Sequence, residues 1–139
     1  MQTLLRILER AGDYRPALYL KIENPPFIAL VIEATPEPGP MNLPSISVAH
    51  YGEQNGDLMR DPEMCFELSK PPLCGLGLSS FYFRNDYLGV EQYSRYQDGE
   101  NYVFLPYLYE QHEKFARPWD KHIRALGFLD ALTDKSIRG

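Results

Sequence analysis

The segment SISVAHYGEQNGDLMRDPEMCFEL, residues 45–68, decides the fold. Ser45 to Tyr51 alternates, placing Ile46, Val48 and His50 on one face and Ser47, Ala49 and Tyr51 on the other, the period-two pattern of a half-buried strand. Asn55-Gly56 supplies the two positive-φ positions of a tight hairpin turn. Leu58 to Leu68 is then the return strand, with Met64, Phe66 and Leu68 as its core face. Asp61-Pro62 interrupts it, and because proline cannot donate to a ladder, the hairpin is expected to kink there.

Working outward, Leu18 to Glu23 alternates and Phe27 to Ala34 is a longer apolar run, with Asn24-Pro25-Pro26 forcing a turn between them. These read as an antiparallel pair, the second strand more buried. Thr35 to Pro44 holds four prolines and a glycine, which rules out regular structure. Lys70 to Ser80 reads as a second loop, Phe81 to Phe83 and Val90 to Tyr96 as short strands, and Gln97 to Asn101 as a turn.

Helical spacing appears at both ends. Leu4, Leu5, Leu8 and Ala11 follow Thr3, a candidate N-cap, and precede Gly12 at a C-cap position. Pro106 opens a longer helix whose stripe is Leu108, Phe115, Trp119, Ile123 and Leu126, closed by Gly127. Pro118 lies inside it and is expected to kink or break it. The pattern as a whole predicts one α+β domain over residues 1–128. It comprises an antiparallel sheet of about five strands with both helices on one face, followed by a flexible tail over residues 129–139.

The totals agree with one ordinary globular core. The chain has 139 residues, 44% hydrophobic and 24% charged, with 10 Tyr, 7 Phe and 1 Trp, enough apolar surface to exclude wholesale disorder. No apolar run nears the roughly 20 residues that span a bilayer, and Met1 to Gly12 carries charges where a signal peptide would be apolar, so a cytoplasmic protein is expected. Cys65 and Cys74 read as reduced thiols. A net charge of -5 argues against a general grip on nucleic acid.

Three constellations bear on chemistry. His50 with Asp57, Asp61 and Glu63 is the candidate catalytic set of a metal-dependent hydrolase, but the strand register puts His50 beside Ile46 and Val48, where a satisfied, partly buried histidine is the simpler reading. Asp57, Asp61, Glu63 and Glu67 fit no recognised cation loop, so no metal and no cofactor is expected. No Gly-x-Ser-x-Gly elbow and no phosphate-binding glycine loop occurs.

On the last helix Lys114, Arg117, Lys121, His122 and Arg124, with Tyr107 and Trp119, offer single-stranded nucleic-acid binding as an alternative. The plainer reading is a solvated face with Glu110–Lys114 and Glu113–Arg117 pairs. Tyr82, Tyr87, Tyr93 and Tyr96 read either as cross-strand core pairs or as interface residues.

The string His50-Tyr51-Gly52-Glu53-Gln54-Asn55-Gly56-Asp57-Leu58, with Asp61-Pro62-Glu63-Met64-Cys65-Phe66 after it, resembles an uncharacterised bacterial domain family found on plasmids, integrative elements and phages. Tyr82-Phe83-Arg84-Asn85-Asp86 resembles its aromatic strand, and Phe115-Ala116-Arg117-Pro118-Trp119 with Arg124-Ala125-Leu126-Gly127-Phe128 its final helix. Pro118 departs from the family pattern. The family has no established activity, so the resemblance implies mobile-element cargo and no mechanism. The expected function is therefore a protein-binding accessory factor, not an enzyme, directed at a host or element-encoded protein. Its expected binding residues are Glu53, Gln54, Asn55, Asp57, Arg60, Glu63, Tyr82 and Tyr93.

Overall fold

The computed structural model describes residues 1–69 and 77–139. Helix α1 (Gln2–Arg10) leads into strands β1 (Tyr19–Asn24), β2 (Phe27–Ala34), β3 (Ser45–Gln54), β4 (Asp57–Ser69), β5 (Gly77–Asn85) and β6 (Val90–Tyr93). These six form one antiparallel sheet in sequence order. A ribbon of β7 (Arg95–Asp98) and β8 (Asn101–Phe104) follows, then α2 (Pro106–Ala125) and the short α3 (Phe128–Ala131). The fold is α+β, as the patterning implies, with one strand and one ribbon more than expected.

The central hairpin forms in the expected register. Ile46 pairs with Phe66 and Val48 with Met64, and Asn55 and Gly56 take φ of 53° and 83° at the turn. The ladder slips between Ala49 and Tyr51, opposite Asp61-Pro62, because Pro62 has no N–H to give it. Leu20, Ile22, Leu30, Ile32, Ile46, Val48, Met64 and Phe66 face the helices, where Leu4, Ile7, Leu8, Ala116, Trp119, Ile123 and Phe128 complete one core. Leu30 lies opposite His50, which ends this apolar stripe.

Several local expectations are corrected by longer-range contacts. Thr3 is not the cap of α1: it lies within the helix and is buried. The carboxylate of Asp120 on α2 accepts from the Thr3 and Leu4 N–H groups at 3.1 and 3.0 Å, supplying the cap from another element. The buried stripe of α2 is His112, Ala116, Trp119 and Ile123, whereas Phe115 is exposed and Leu108 only partly covered.

Helix α2 runs through Pro118 unbroken. Both Pro118 and Lys114, whose carbonyl loses its partner, lie on the solvent side, where water can replace the missing bond. The break falls instead at Gly127, which takes φ 92°. Beyond it Leu129 is buried, Ile137 bridges to Leu20 and the Arg138 N–H donates to the Tyr19 carbonyl, so the chain's end lies against β1.

Val90 to Tyr96 is two strands, since Ser94 turns the chain out of the sheet, and Gln97 to Asn101 is the tip of the ribbon. Of the second expected loop, residues 70–76 lie outside the described residues, and Gly77–Ser80 belongs to β5.

The sheet's other face is covered by the proline-rich loop 35–44 and the ribbon, and a buried ion pair joins them. Arg95 Nη1 donates to Glu67 Oε1 at 2.7 Å, and the two residues are only 5% and 1% exposed. Glu67 Oε2 also accepts from the Met41 and Leu43 amides at 2.8 and 3.3 Å. Arg95 Nε and Nη2 donate to the Ser80 and Ser79 carbonyls, each at 3.0 Å. The loop passes so close that a Cβ on Gly39 would lie 2.0 Å from Glu67 Cγ.

Breaking a buried pair strands a charge, at a cost of about 3–5 kcal/mol, while apolar replacement of both partners is far milder. Glu67→Leu and Arg95→Met should each lose stability on that scale in denaturant unfolding, and the double variant much less than their sum. Additive losses would contradict the pairing.

Candidate functional site

His50 stands at the open end of the core in a cleft of about 470 Å³ between the β1–β2 turn, the Asp61-Pro62 bulge and the end of α2. Its Nδ1 donates to the Ile28 and Ala29 carbonyls, at 3.2 and 3.3 Å. Its ring packs edge-on against Trp119 and tilted against Phe128, with centroids 5.9 and 5.5 Å away. Burial holds its pKa below the ordinary value despite those carbonyls. This is the satisfied histidine that the register implies.

The proposed catalytic partners are dispersed. Asp61 shares the cleft, where it accepts from Asn85 Nδ2 at 3.0 Å. Glu63 pairs with Ala49 in the ladder, so it points to the opposite face from His50 and accepts there from the Ser47 hydroxyl at 2.5 Å. Asp57 is at the exposed hairpin tip, roughly 13 Å along the strand from His50 at about 3.3 Å per residue. Among the described residues no group of three or more His, Cys, Asp or Glu could hold a metal ion.

The expected binding residues separate into three regions. Glu53, Gln54, Asn55 and Asp57 lie together at the hairpin tip, all exposed. Arg60 and Glu63 face each other with Nε–Oε1 at 3.0 Å, close enough to pair yet poorly aligned for a hydrogen bond. Asp86 ties Arg60 to Arg84: it accepts from the Arg60 backbone N–H at 2.8 Å and from Arg84 Nε at 2.7 Å. Those donors, the backbone amide first, hold its carboxyl below the usual range.

Tyr82 and Tyr93 lie on the far face with ring centroids 4.7 Å apart. Tyr82 is buried and donates to Glu91 at 2.5 Å, whereas Tyr93 is 49% exposed. They floor a groove of two contiguous hollows of about 190 and 170 Å³. Pro36, Pro38 and Pro40 form one wall, Tyr96 and Gln97 the other, and Phe81 lies between. Phe81 reaches this face because the β4–β5 ladder slips there, Cys65 pairing with Tyr82 and Phe66 with Ser80.

The walls are tied across the gap, Gln97 Nε2 donating to the Pro40 carbonyl at 2.7 Å, and from below by Glu67 and Arg95. Cys65 is buried beneath the groove, its thiol pushed up by that burial; Cys74 lies outside the described residues. Tyrosine clustering signals this groove in the sequence. The proline wall carries no such signal, since proline-rich composition marks any loop.

On the last helix the Glu110–Lys114 pair forms at 3.1 Å. Glu113 does not pair with Arg117, because it accepts from the Ser80 hydroxyl at 2.7 Å instead. Trp119 is 7% exposed and covered by His50 and Phe115, so its ring offers no face for a base. Tyr107, which is exposed, lies about 18 Å further up the helix at 1.5 Å per residue.

The arrangement defines a small α+β domain with a groove backed by a buried ion pair. The chain belongs to the family of a domain of unknown function, DUF6908, whose model covers residues 2–129. No curated protein and no solved structure matches it. No helix among the described residues is long and apolar enough to cross a membrane.

A second histidine shares the environment that ties His50 to pH. His112 is buried and packs on Phe83; its Nε2 donates to Gln92 Oε1 at 2.9 Å, and its Nδ1 has no partner among the described residues. Burial lowers its pKa from 6.5, as it does for His50. The unfolded chain therefore binds more protons than the fold once the pH drops below 6.5, so this stability is present above that value and lost below it. Melting temperature should fall from pH 7 to pH 5, and fall less in His112→Gln, with His50 carrying the remainder. An identical decline in both proteins would contradict this assignment.

Proposed function

We propose that this domain is a non-enzymatic, protein-binding accessory factor of the cytoplasm, and that the groove between loop 35–44 and the β6–β7 corner takes an extended segment of its partner. The observation that carries the reading is the groove's construction. Prolines and tyrosines present apolar area at little conformational cost, and the ion pair beneath them holds the walls before any partner arrives. Two adjacent hollows suit two apolar side chains of an extended peptide, with Tyr93 as the exposed anchor. The resemblance to a domain family carried by plasmids, integrative elements and phages supports a setting in which the partner belongs to host defence or nucleic-acid-processing machinery.

The test is affinity capture from a bacterial host lysate with quantification of each captured protein. One partner should be enriched by the native domain and reduced about tenfold or more by Tyr93→Ala, the loss of a typical hot-spot tyrosine. Glu9→Ala with Arg10→Ala, exposed on α1, should leave capture within about twofold. Capture that survives Tyr93→Ala, or no enrichment at all, would overturn the proposal.

A further inference from the structure

On the helical side, with the sheet between it and the groove, a pocket of about 440 Å³ opens between the first turn of α1 and the C-terminal half of α2, lined by Gln2, Thr3, Arg117, Asp120, Lys121 and Arg124. The three cations stand at i, i+4 and i+7 on α2, so they project to one side. None of them lies within 4.0 Å of a carboxylate among the described residues, whereas Lys114, one turn earlier, is paired. The carboxylate that lines the pocket, Asp120, is 4% exposed and already accepts from the Thr3 and Leu4 N–H groups. It offsets one positive charge at most, and it occupies those amide donors of α1, which therefore contribute nothing to an incoming anion.

Like charges spaced three and four apart on a helix repel. A chain of net charge -5 nevertheless gathers three unpaired cations around one concavity. We infer that this pocket binds a phosphate-bearing ligand, held by the Arg117, Lys121 and Arg124 side chains with the Gln2 amide at its edge. Phosphate is favoured over carboxylate because two guanidinium forks and one ammonium provide more donors than one carboxylate accepts, and they match several oxygens of a multiply charged group. The phosphate is either free or part of a nucleic-acid backbone, and the two sources separate in the test.

Calorimetric titration with inorganic pyrophosphate, and polarisation of a labelled 12-nucleotide single strand, would be run at low salt on the full chain. The native protein should bind at least one probe saturably, and binding should weaken as NaCl is added. The variant Arg117→Gln/Lys121→Gln/Arg124→Gln should lose at least tenfold. The charge-matched control Arg10→Gln/Lys21→Gln/Lys135→Gln should stay within twofold. Loss for pyrophosphate marks a free phosphorylated ligand; loss for the oligonucleotide alone marks a nucleic-acid backbone, and either supports the site. Absence of saturable binding of both probes, or equal losses in the two triple variants, would overturn it. The result does not depend on Tyr93, so this inference and the groove can fail separately.

Discussion

The pair between Glu67 and Arg95 is the constraint on which the far side of this domain depends. Two charges taken out of water cost several kcal/mol each, and their attraction compensates only when the remaining donors and acceptors are satisfied. Here they are: Glu67 receives Arg95 and two loop amides, and Arg95 donates to two β5 carbonyls besides the carboxylate. One contact thereby ties together the middle of the sheet, a loop rich in proline and a ribbon with few apolar contacts of its own. Such a pair contributes less to total stability than to fixing one arrangement of its neighbours. A rigid groove needs just that.

What could be read from the sequence was what depends on short-range periodicity. The alternation through Ile46 and Val48, the Asn55-Gly56 turn and the interruption at Pro62 determine a hairpin, and that hairpin is the centre of the observed sheet. The same register correctly sets His50 beside the core. Buried polar partners could not be read, because they join residues far apart in the chain. Glu67 looks like any carboxylate on a strand, and Asp120 like any helix-surface acid until α1 comes to rest on it. Pro118 does not break the helix for a related reason: its cost depends on whether the orphaned carbonyl of Lys114 can reach water, which composition does not reveal.

The candidate site was legible in its tyrosines and hidden in its frame. Tyr82 and Tyr93 are neighbours, but Glu53 to Asp57 belongs to a different end of the molecule, and the residues assembled around His50 divide between two faces of the sheet. Arg117, Lys121 and Arg124 were legible as a basic helix face despite the acidic balance of the chain, since a net charge reports a sum and not a distribution, but the α1 wall that makes a pocket of them was not. The two helices and the far-face groove thus give the domain separate surfaces, with the core between them.

Native-state hydrogen exchange at the Met41 and Leu43 amides tests the central claim most directly. Both donate to a carboxylate that Arg95 holds in place. In the native protein they should exchange nearly as slowly as the Val48 and Met64 amides of the central hairpin, and in Arg95→Met they should exchange fast while the hairpin stays protected. Fast exchange at Met41 and Leu43 in the native protein would mean that the loop is not held by the buried pair, and would contradict the account.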